Sequence, residues 1–232
     1  MTAGRSPWVG SKYRVIAVAF ISFLLVATSA SAQNVFPASG NVGIGTTNPG
    51  DLVDILTTGA GTGLRLIGTV SVAFGCPFEG KVDPSSVMDD VQRFHALGVE
   101  HVALGDTIGT ATPATVRALF QRFKNGVPIA HFHDTRGTGL VNYVAAYDAG
   151  VRYFDSSFGG VGGHPAKVKY GGGHTGNVST EDLVNLFESM GIATGLDLDG
   201  LVATAEFCEQ ALGRELYGRV TRSGLNPLLK AP

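Results

Sequence analysis

The sequence carries little charge of either sign and few cysteines. Asp, Glu, Lys and Arg together make up only 16% of its 232 residues, and the formal net charge is −2. A nucleic-acid-binding domain needs a basic surface, and a disordered acidic tail needs an excess of negative charge, so the composition excludes both classes. Two cysteines, Cys76 and Cys208, cannot form a disulfide framework, and we expect both thiols to be reduced and isolated.

An apolar run long enough to cross a membrane is also missing. The run over residues 15–27 is shorter than the ~20 residues that a spanning helix needs. Lys12 and Arg14 precede it, and small residues ending at Ala32 follow it, which is the pattern of a secretory signal peptide. We therefore predict that residues 1–32 are a signal peptide cut after Ala32, which would leave no stable membrane span. An uncleaved anchor is the alternative.

Glycine, by contrast, is abundant. The 33 glycines cluster at loop positions without the period of collagen. In residues 33–68 they accompany Thr, Asn and short β-prone pieces, and the stretch "GNVGIGTTNPGDLVDI" within residues 34–55 resembles a repeat of phage tail-fibre and surface-stalk proteins. A dinucleotide-binding loop does not fit, because Asn48 stands where that fingerprint needs its third glycine. We expect a stalk-like segment.

From Thr69 onward the chain repeats one plan: a helix-like segment, a glycine, a short β-rich run, and then polar residues. The repeats are "LGVEHVALGDT", "NGVPIAHFHDT" and "AGVRYFDSS", with "VSVAFGCPFEG" before them. Strands that alternate with helices indicate an α/β fold with a parallel sheet. We predict that residues 69–232 form this layer, with residues 1–68 outside it. The predicted strands are Val70–Phe74, His101–Leu104, Ile129–His133 and Val151–Asp155.

Helical patterns follow each predicted strand. The predicted helices are Pro84–Leu97, Pro113–Arg122, Gly137–Asp148, Thr180–Met190 and Leu198–Leu212. Each strand ends in Gly, Asp, Thr or Ser, and the carboxyl ends of strands are where α/β barrels and open α/β sheets place their binding sites.

The third predicted strand ends in two histidines, in "PIAHFHDTRG". Residues i and i+2 of a strand point to the same face, so His131 and His133 project together and could bind a divalent metal. Asp106, Asp134 and Asp155 recur at the strand ends and could supply oxygen ligands or orient the imidazoles. The alternative is a histidine pair that hydrogen-bonds only to polar neighbours.

Five motifs in this part of the chain resemble those of one enzyme family. They are "AFGCPFEGKVDP", "LGDTIGTATP", "HFHDTRG", "DSSFGGVGGHP" and "TGNVSTEDLV". In this order, over residues 69–229, they resemble the C-terminal half of the 3-hydroxy-3-methylglutaryl-CoA lyase family, whose domain is similar to that of pyruvate carboxyltransferases. The resemblance implies parallel βα repeats corresponding to the C-terminal half of a TIM (β/α)8 barrel.

The resemblance also implies a reaction and a metal site. The family cleaves a 3-hydroxyacyl-CoA to acetyl-CoA and a keto acid, in a metal-dependent retro-Claisen reaction. By this likeness His131, His133 and Asn177 would bind Mg²⁺ or Mn²⁺. Catalytic roles would fall to His131 and to Asp106, which would orient the substrate or a ligand.

Further roles come from the glycine-rich loop that follows the last repeat. His164 stands where the family has a cysteine that acts in proton transfer, and histidine also exchanges protons near neutral pH. Lys167 and Lys169 could contact the phosphates of an acyl-CoA substrate, although exposed lysines are usually only solvated. The loop itself is either a lid over the substrate or a plain surface loop.

The chain departs from the family pattern in its first third. A complete barrel needs eight strands, whereas the repeats supply four, and the family's Arg-Asp-Gly motif is not found upstream. We therefore expect impaired lyase activity, and a homodimer or a separate N-terminal half-barrel as the partner that completes the barrel. A related condensing synthase and a non-catalytic truncated or chimeric exported protein are the alternative functions. The signal peptide indicates export, whereas the family is cytoplasmic or mitochondrial.

Overall fold

The computed structural model describes residues 66–162 and 176–230, together with the backbone of one strand nearer the N-terminus. Its centre is a sheet of strands that all run parallel. The strands are β1 (Ile16–Ala19), β2 (Ile67–Val70), β3 (His101–Asp106), β4 (Val127–Phe132) and β5 (Tyr153–Ser156), in the spatial order β1-β5-β4-β3-β2. The predicted α/β class with parallel βα repeats is therefore confirmed.

The helices lie close to their predicted positions. They are α1 (Pro84–Ala96), α2 (Pro113–Phe120), α3 (Gly139–Asp148), α4 (Thr180–Ser189), α5 (Leu198–Leu212) and a short α6 (Arg219–Ser223). Local capping explains these bounds, because Asp83 accepts a hydrogen bond from the Ser85 N–H at the start of α1 and Pro84 follows at the first helical position. None of the helices in the described ranges is long and apolar enough to cross a membrane.

The first predicted strand, Val70–Phe74, is wrong in its position. The strand runs from Ile67 to Val70, and a turn follows it. The chain leaves the sheet at Val72, which has a φ of 51° and donates its backbone N–H to Thr107 Oγ1 at 2.9 Å. Within the strand, Gly68 leaves room for the Phe94 ring, whose Cγ lies 2.7 Å from where a β-carbon would stand.

The expectation that residues 1–68 lie outside the sheet is also wrong at two places, because β2 already begins at Ile67 and a strand nearer the N-terminus joins the sheet. Strand β1 pairs with β5 over four positions, from Ile16 opposite Tyr153 to Ala19 opposite Ser156. Without that pairing this edge of β5 would present free N–H and C=O groups, which proteins generally cover. The rest of the predicted signal peptide, and residues 33–65 of the predicted stalk-like segment, lie outside the described residues.

The helices cover one face of the sheet and form the core with it. Strand residues that alternate along β3, β4 and β5 are fully buried there, including Leu104, Phe132 and Phe154. Burial of each such side chain contributes about 1.5–3 kcal/mol. The residues between them point to the opposite face, where His131 lies in register with Gly105 on one side and Asp155 on the other. This row carries the candidate site.

Candidate functional site at the carboxyl ends of β4 and β5

Three segments of the chain carry the residues of the candidate site. Strand β4 ends at Phe132, so it presents His131 within the strand and His133 just beyond it. Strand β5 brings Asp155 next to His131. The segment over residues 176–179 then returns to the same edge of the sheet and carries Asn177 beside His133.

Backbone hydrogen bonds attach this returning segment to the strand ends. The Asp134 N–H donates to the Gly176 carbonyl at 2.7 Å, and the Val178 N–H donates to the Phe132 carbonyl at 3.3 Å. On the other side, the Thr180 N–H donates to the Ser157 carbonyl at 2.9 Å. Asn177 is thus fixed against both strands by main-chain contacts, independently of its own side chain.

The two histidines and Asp155 form a connected polar row. His131 Nδ1 lies 3.0 Å from Asp155 Oδ2, and His131 Nε2 lies 3.2 Å from His133 Nε2. A carboxylate beside Nδ1 favours the tautomer that carries its proton there, which leaves the Nε2 lone pair available. The His131 and Asp155 side chains are 23% and 24% exposed, so solvent or a ligand can reach this row.

The amide group of Asn177 is only partly satisfied by the described residues. Its Nδ2 donates to the Val161 carbonyl at 2.8 Å, whereas its buried Oδ1 accepts no hydrogen bond from residues 66–162 or 176–230. A buried acceptor without a partner is unfavourable by about 1–3 kcal/mol, which points to a ligand at this atom. Two imidazole nitrogens and an amide oxygen are a donor set that suits a divalent cation, so the residues fit the metal that the family resemblance implies.

The donor set in the described ranges has no carboxylate. Residues 66–162 and 176–230 contain no group of three or more His, Cys, Asp or Glu side chains arranged to hold a metal ion. His131, His133 and Asn177 would therefore account for only part of a coordination sphere.

Two of the three strand-end aspartates organise their own loops. Asp106 is fully buried and accepts the N–H groups of Thr110 and Ala111 at 2.9 and 3.0 Å, and burial raises the pKa of its carboxyl. Asp134 Oδ1 accepts the N–H of Gly139, the first residue of α3, at 2.7 Å. Such aspartates cap exposed N–H groups, a competing use that the sequence pattern does not separate from catalysis. The catalytic role of Asp106 stays a prediction.

Three other predicted site residues lie outside the described part of the chain. His164, Lys167 and Lys169 belong to residues 163–175. Their predicted roles in proton transfer and in binding the acyl-CoA stay predictions.

A cavity of about 430 Å³ opens beside Asn177. Its walls come from the loop after β4, with Asp134 and Thr135, and from the start of α6, with Arg219 and the nearby Tyr217. Asp182, at the start of α4, accepts the backbone N–H groups of Arg219 and Val220 at 3.1 and 2.8 Å. The buried Asp182 thus fixes one wall of this cavity. The motif "STEDL" does not predict this role, because the same residues are typical of an ordinary helix start.

Consecutive parallel βα units, with polar side chains gathered at the carboxyl ends of the strands, define this part of the chain as a portion of a TIM-type α/β barrel. The family model described as HMGL-like matches residues 59–208. The chain therefore belongs to the HMGL-like family.

Individual relatives agree with this membership. The mitochondrial hydroxymethylglutaryl-CoA lyase of Homo sapiens is 38% identical over 173 residues, which are 73% of this chain and 52% of that protein. The (R)-citramalyl-CoA lyase of Chloroflexus aurantiacus is 37% identical over 166 residues, covering 70% of this chain and 51% of that protein. The chain thus spans about half the length of the curated relatives it matches.

A solved structure shows the same likeness in three dimensions. An HMG-CoA lyase from Acinetobacter baumannii, in complex with coenzyme A and 3-methylmalate, superposes with a TM-score of 0.67 at 36% identity. The superposition covers 78% of this chain and 59% of that one. The predicted correspondence to part of a TIM barrel is confirmed by this match.

Proposed function

We propose that this chain supplies the metal-holding part of a carbon–carbon lyase of the hydroxymethylglutaryl-CoA lyase type. The observation that carries the proposal is the 3.2 Å approach of His131 Nε2 to His133 Nε2, beside Asn177, whose backbone is bridged to His133 and whose buried Oδ1 has no hydrogen-bond partner among the described residues. Sequence identity of 36–41% to lyases of this type supports the same assignment.

His131, His133 and Asn177 would hold Mg²⁺ or Mn²⁺, for which mixed nitrogen and oxygen donors are suitable. A bound divalent cation supplies Lewis-acid stabilisation of the negative charge that develops on substrate oxygens. Asp155 keeps the proton of His131 on Nδ1, so that Nε2 points its lone pair away from Asp155. His133 is 7% exposed, which keeps competing water away from its side of the site.

The substrate class is a 3-hydroxyacyl-CoA. Cleavage requires a base to take the proton of the substrate hydroxyl and an acid to reprotonate the acetyl-CoA enolate. We assign proton transfer to His164, and contact with the coenzyme A phosphates to Lys167 and Lys169. The relatives named for hydroxymethylglutaryl-CoA and (R)-citramalyl-CoA, and the relative with bound coenzyme A, support an acyl-CoA as substrate.

Two further assignments belong to this proposal. The groups that complete the site come from a separate N-terminal half-barrel, whereas a second copy of the chain would close the barrel without supplying them. Residues 1–32 direct export as a signal peptide, the stretch from residue 33 to the start of β2 forms a stalk-like segment, and the chain from β2 onward forms the lyase portion.

A binding experiment and a turnover experiment test the function together. The full chain should bind Mn²⁺ in solution, as measured by electron paramagnetic resonance of the free ion, and the double variant His131→Ala/His133→Ala should lose that binding. The single variant Asn177→Ala should weaken it, because one of three donors is removed. Equal binding by the double variant would overturn the assigned site.

Turnover is measured as acetoacetate release from hydroxymethylglutaryl-CoA in the presence of Mn²⁺. We expect little release by the chain alone, and clear release when the N-terminal half of a relative is co-expressed with it. Loss of a single preorganised oxyanion donor typically lowers rates about 100- to 1,000-fold, so groups supplied by the other half should matter at least this much. A co-expressed pair that releases no more acetoacetate than the same pair with the double histidine variant would refute the lyase assignment.

A further inference from the structure

Tyr143, on helix α3, occupies an unusual position for a buried tyrosine. The side chain is fully buried, and its ring packs edge-on against Phe132 on β4 and Phe154 on β5, with ring centroids 4.9 and 5.9 Å apart. Burial raises the pKa of its hydroxyl above the ordinary value, so the group is protonated and can both donate and accept.

The Tyr143 hydroxyl bridges the two strands that carry the site. It accepts a hydrogen bond from the Phe132 N–H at 3.1 Å and donates one to the Asp155 carbonyl. The last paired residues of these strands are His131 and Asp155. In a parallel ladder the residue after a paired position donates its N–H to the opposite carbonyl, so the Phe132 N–H and the Asp155 carbonyl are the two groups that the last pair of this ladder brings together. The hydroxyl therefore cross-links the two strands at the last pair of their ladder.

The bridging hydroxyl lies where the two strands present the side chains of the site. Phe132 is the residue between His131 and His133, and Asp155 is the residue whose carboxylate contacts His131 Nδ1 at 3.0 Å. The spacing of His131 and Asp155 is set at this same point of the ladder.

We propose that Tyr143 is a positioning residue of the site, whose hydroxyl ties the end of β4 to the end of β5 and thereby holds the Asp155 carboxylate at His131 Nδ1. Without the hydroxyl, this tie between the two strand ends is lost. Asp155 then shifts relative to His131. The His131 ring is then no longer fixed in one tautomer or one orientation. The inference rests on the proposed function only where it concerns the metal.

The test compares Tyr143→Phe with Tyr147→Phe. Phenylalanine keeps the ring contacts at position 143 and removes only the hydroxyl. Tyr147 lies one turn farther along the same helix, where its ring contacts Phe187 and the Arg152 guanidinium, and its hydroxyl makes no hydrogen bond within the described ranges. The same change at position 147 therefore controls for the loss of a hydroxyl from this helix.

The first readout is the nitrogen NMR spectrum of the His131 ring in the metal-free full chain. The wild type and Tyr147→Phe should show the tautomer protonated at Nδ1, and Tyr143→Phe should show a mixture of tautomers. The second readout is Mn²⁺ affinity, which should fall roughly 10- to 100-fold in Tyr143→Phe, as is typical when the support of a metal-binding histidine is lost. Tyr147→Phe should remain within about twofold of wild type.

The two proposals fail in different ways. Absence of Mn²⁺ binding by the wild type would refute the proposed function and leave the tautomer readout valid. A Tyr143→Phe chain that keeps both the wild-type tautomer and the wild-type affinity would overturn the positioning role. Should that variant not fold, the wild type gives the answer, because its slowly exchanging Tyr143 hydroxyl proton should show a nuclear Overhauser effect to the Phe132 amide. A missing effect would overturn the bridge itself.

Discussion

Gly139, the first residue of α3, offers a steric test of how the helix layer and the candidate site are connected. A β-carbon at this position would stand 2.2 Å from Val178 Cγ2 and 2.9 Å from Asp134 Oδ1. Carbon atoms in contact lie about 3.5–4.0 Å apart, so Gly139→Ala must move one partner by more than about 1 Å. Val178 is 1% exposed and cannot turn toward solvent. The backbone neighbour of Val178 is Asn177, whose amide oxygen has no hydrogen-bond partner in the described part of the chain.

The expected loss of stability follows from two opposed effects. Alanine is favoured over glycine in a helix by about 0.5–1 kcal/mol, and overpacking of a buried contact is unfavourable by about 1–3 kcal/mol. We expect Gly139→Ala to lower the free energy of unfolding by about 1–2 kcal/mol, measured by urea denaturation followed by circular dichroism. Mn²⁺ affinity should fall as well, because a displaced Val178 carries Asn177 with it.

The double variant with Val178→Ala isolates the clash. Removing Cγ2 of Val178 relieves the contact, so Gly139→Ala should be less harmful in the Val178→Ala background than in the wild type. We expect a coupling free energy of about 1 kcal/mol or more between the two positions, within the range seen for residues in contact. Additive effects, or a Gly139→Ala chain as stable as wild type, would show that the helix and the segment carrying Asn177 are not packed as described.

Three further predictions address other buried groups and the N-terminus. Burial raises the pKa of the Glu181 carboxyl, so the wild type should lose stability relative to Glu181→Gln as the pH rises from about 4.5 through the folded-state pKa. Urea titrations in which the difference in unfolding free energy between the two proteins stays constant with pH would contradict this. Asp106→Ala leaves two backbone N–H groups without acceptors, so it should lower the unfolding free energy by about 1–3 kcal/mol and leave the Mn²⁺ affinity unchanged. A loss of Mn²⁺ affinity without a loss of stability would instead support a direct role of Asp106 in the site. Intact-mass measurement of the exported chain should show cleavage after Ala32, whereas retention of residues 1–32 would favour the strand Ile16–Ala19 as a lasting part of the sheet.

The helices could be predicted from the sequence because their signals are local. Pro84 with Asp83 before it, and Pro113 with Thr112 before it, start helices by capping chemistry that involves only neighbouring residues. The strand that contains His101 can also be predicted from the sequence, because a short β-rich run follows a glycine. The position of β2 cannot be predicted in this way, because the turn after it is held by a hydrogen bond from Val72 to Thr107, a residue 35 positions away.

The side chains of the site also divide into those that local sequence signals predict and those that depend on long-range packing. The pairing of His131 with His133 follows from the period of a strand and was predicted. The choice of Asp155 over Asp106 and Asp134 as the partner of His131 was not predicted, because all three stand at equivalent strand ends. That choice depends on which N–H groups each loop leaves exposed, and this is decided only when the loops and helices are packed.

The same packing explains why metal binding and turnover should separate in this chain. The groups that would hold the cation are fixed by contacts made within the described residues: the ladder between β4 and β5, and the backbone bonds from Asp134 to Gly176 and from Val178 to Phe132. Neither set of contacts requires another part of a barrel. The described ranges contain no carboxylate that completes the donor set, so in the proposed lyase the remaining donors and the groups that meet the developing enolate charge lie outside these ranges. The proposed binding thus depends on local geometry, whereas the proposed catalysis depends on charge placed around the substrate from several strands at once.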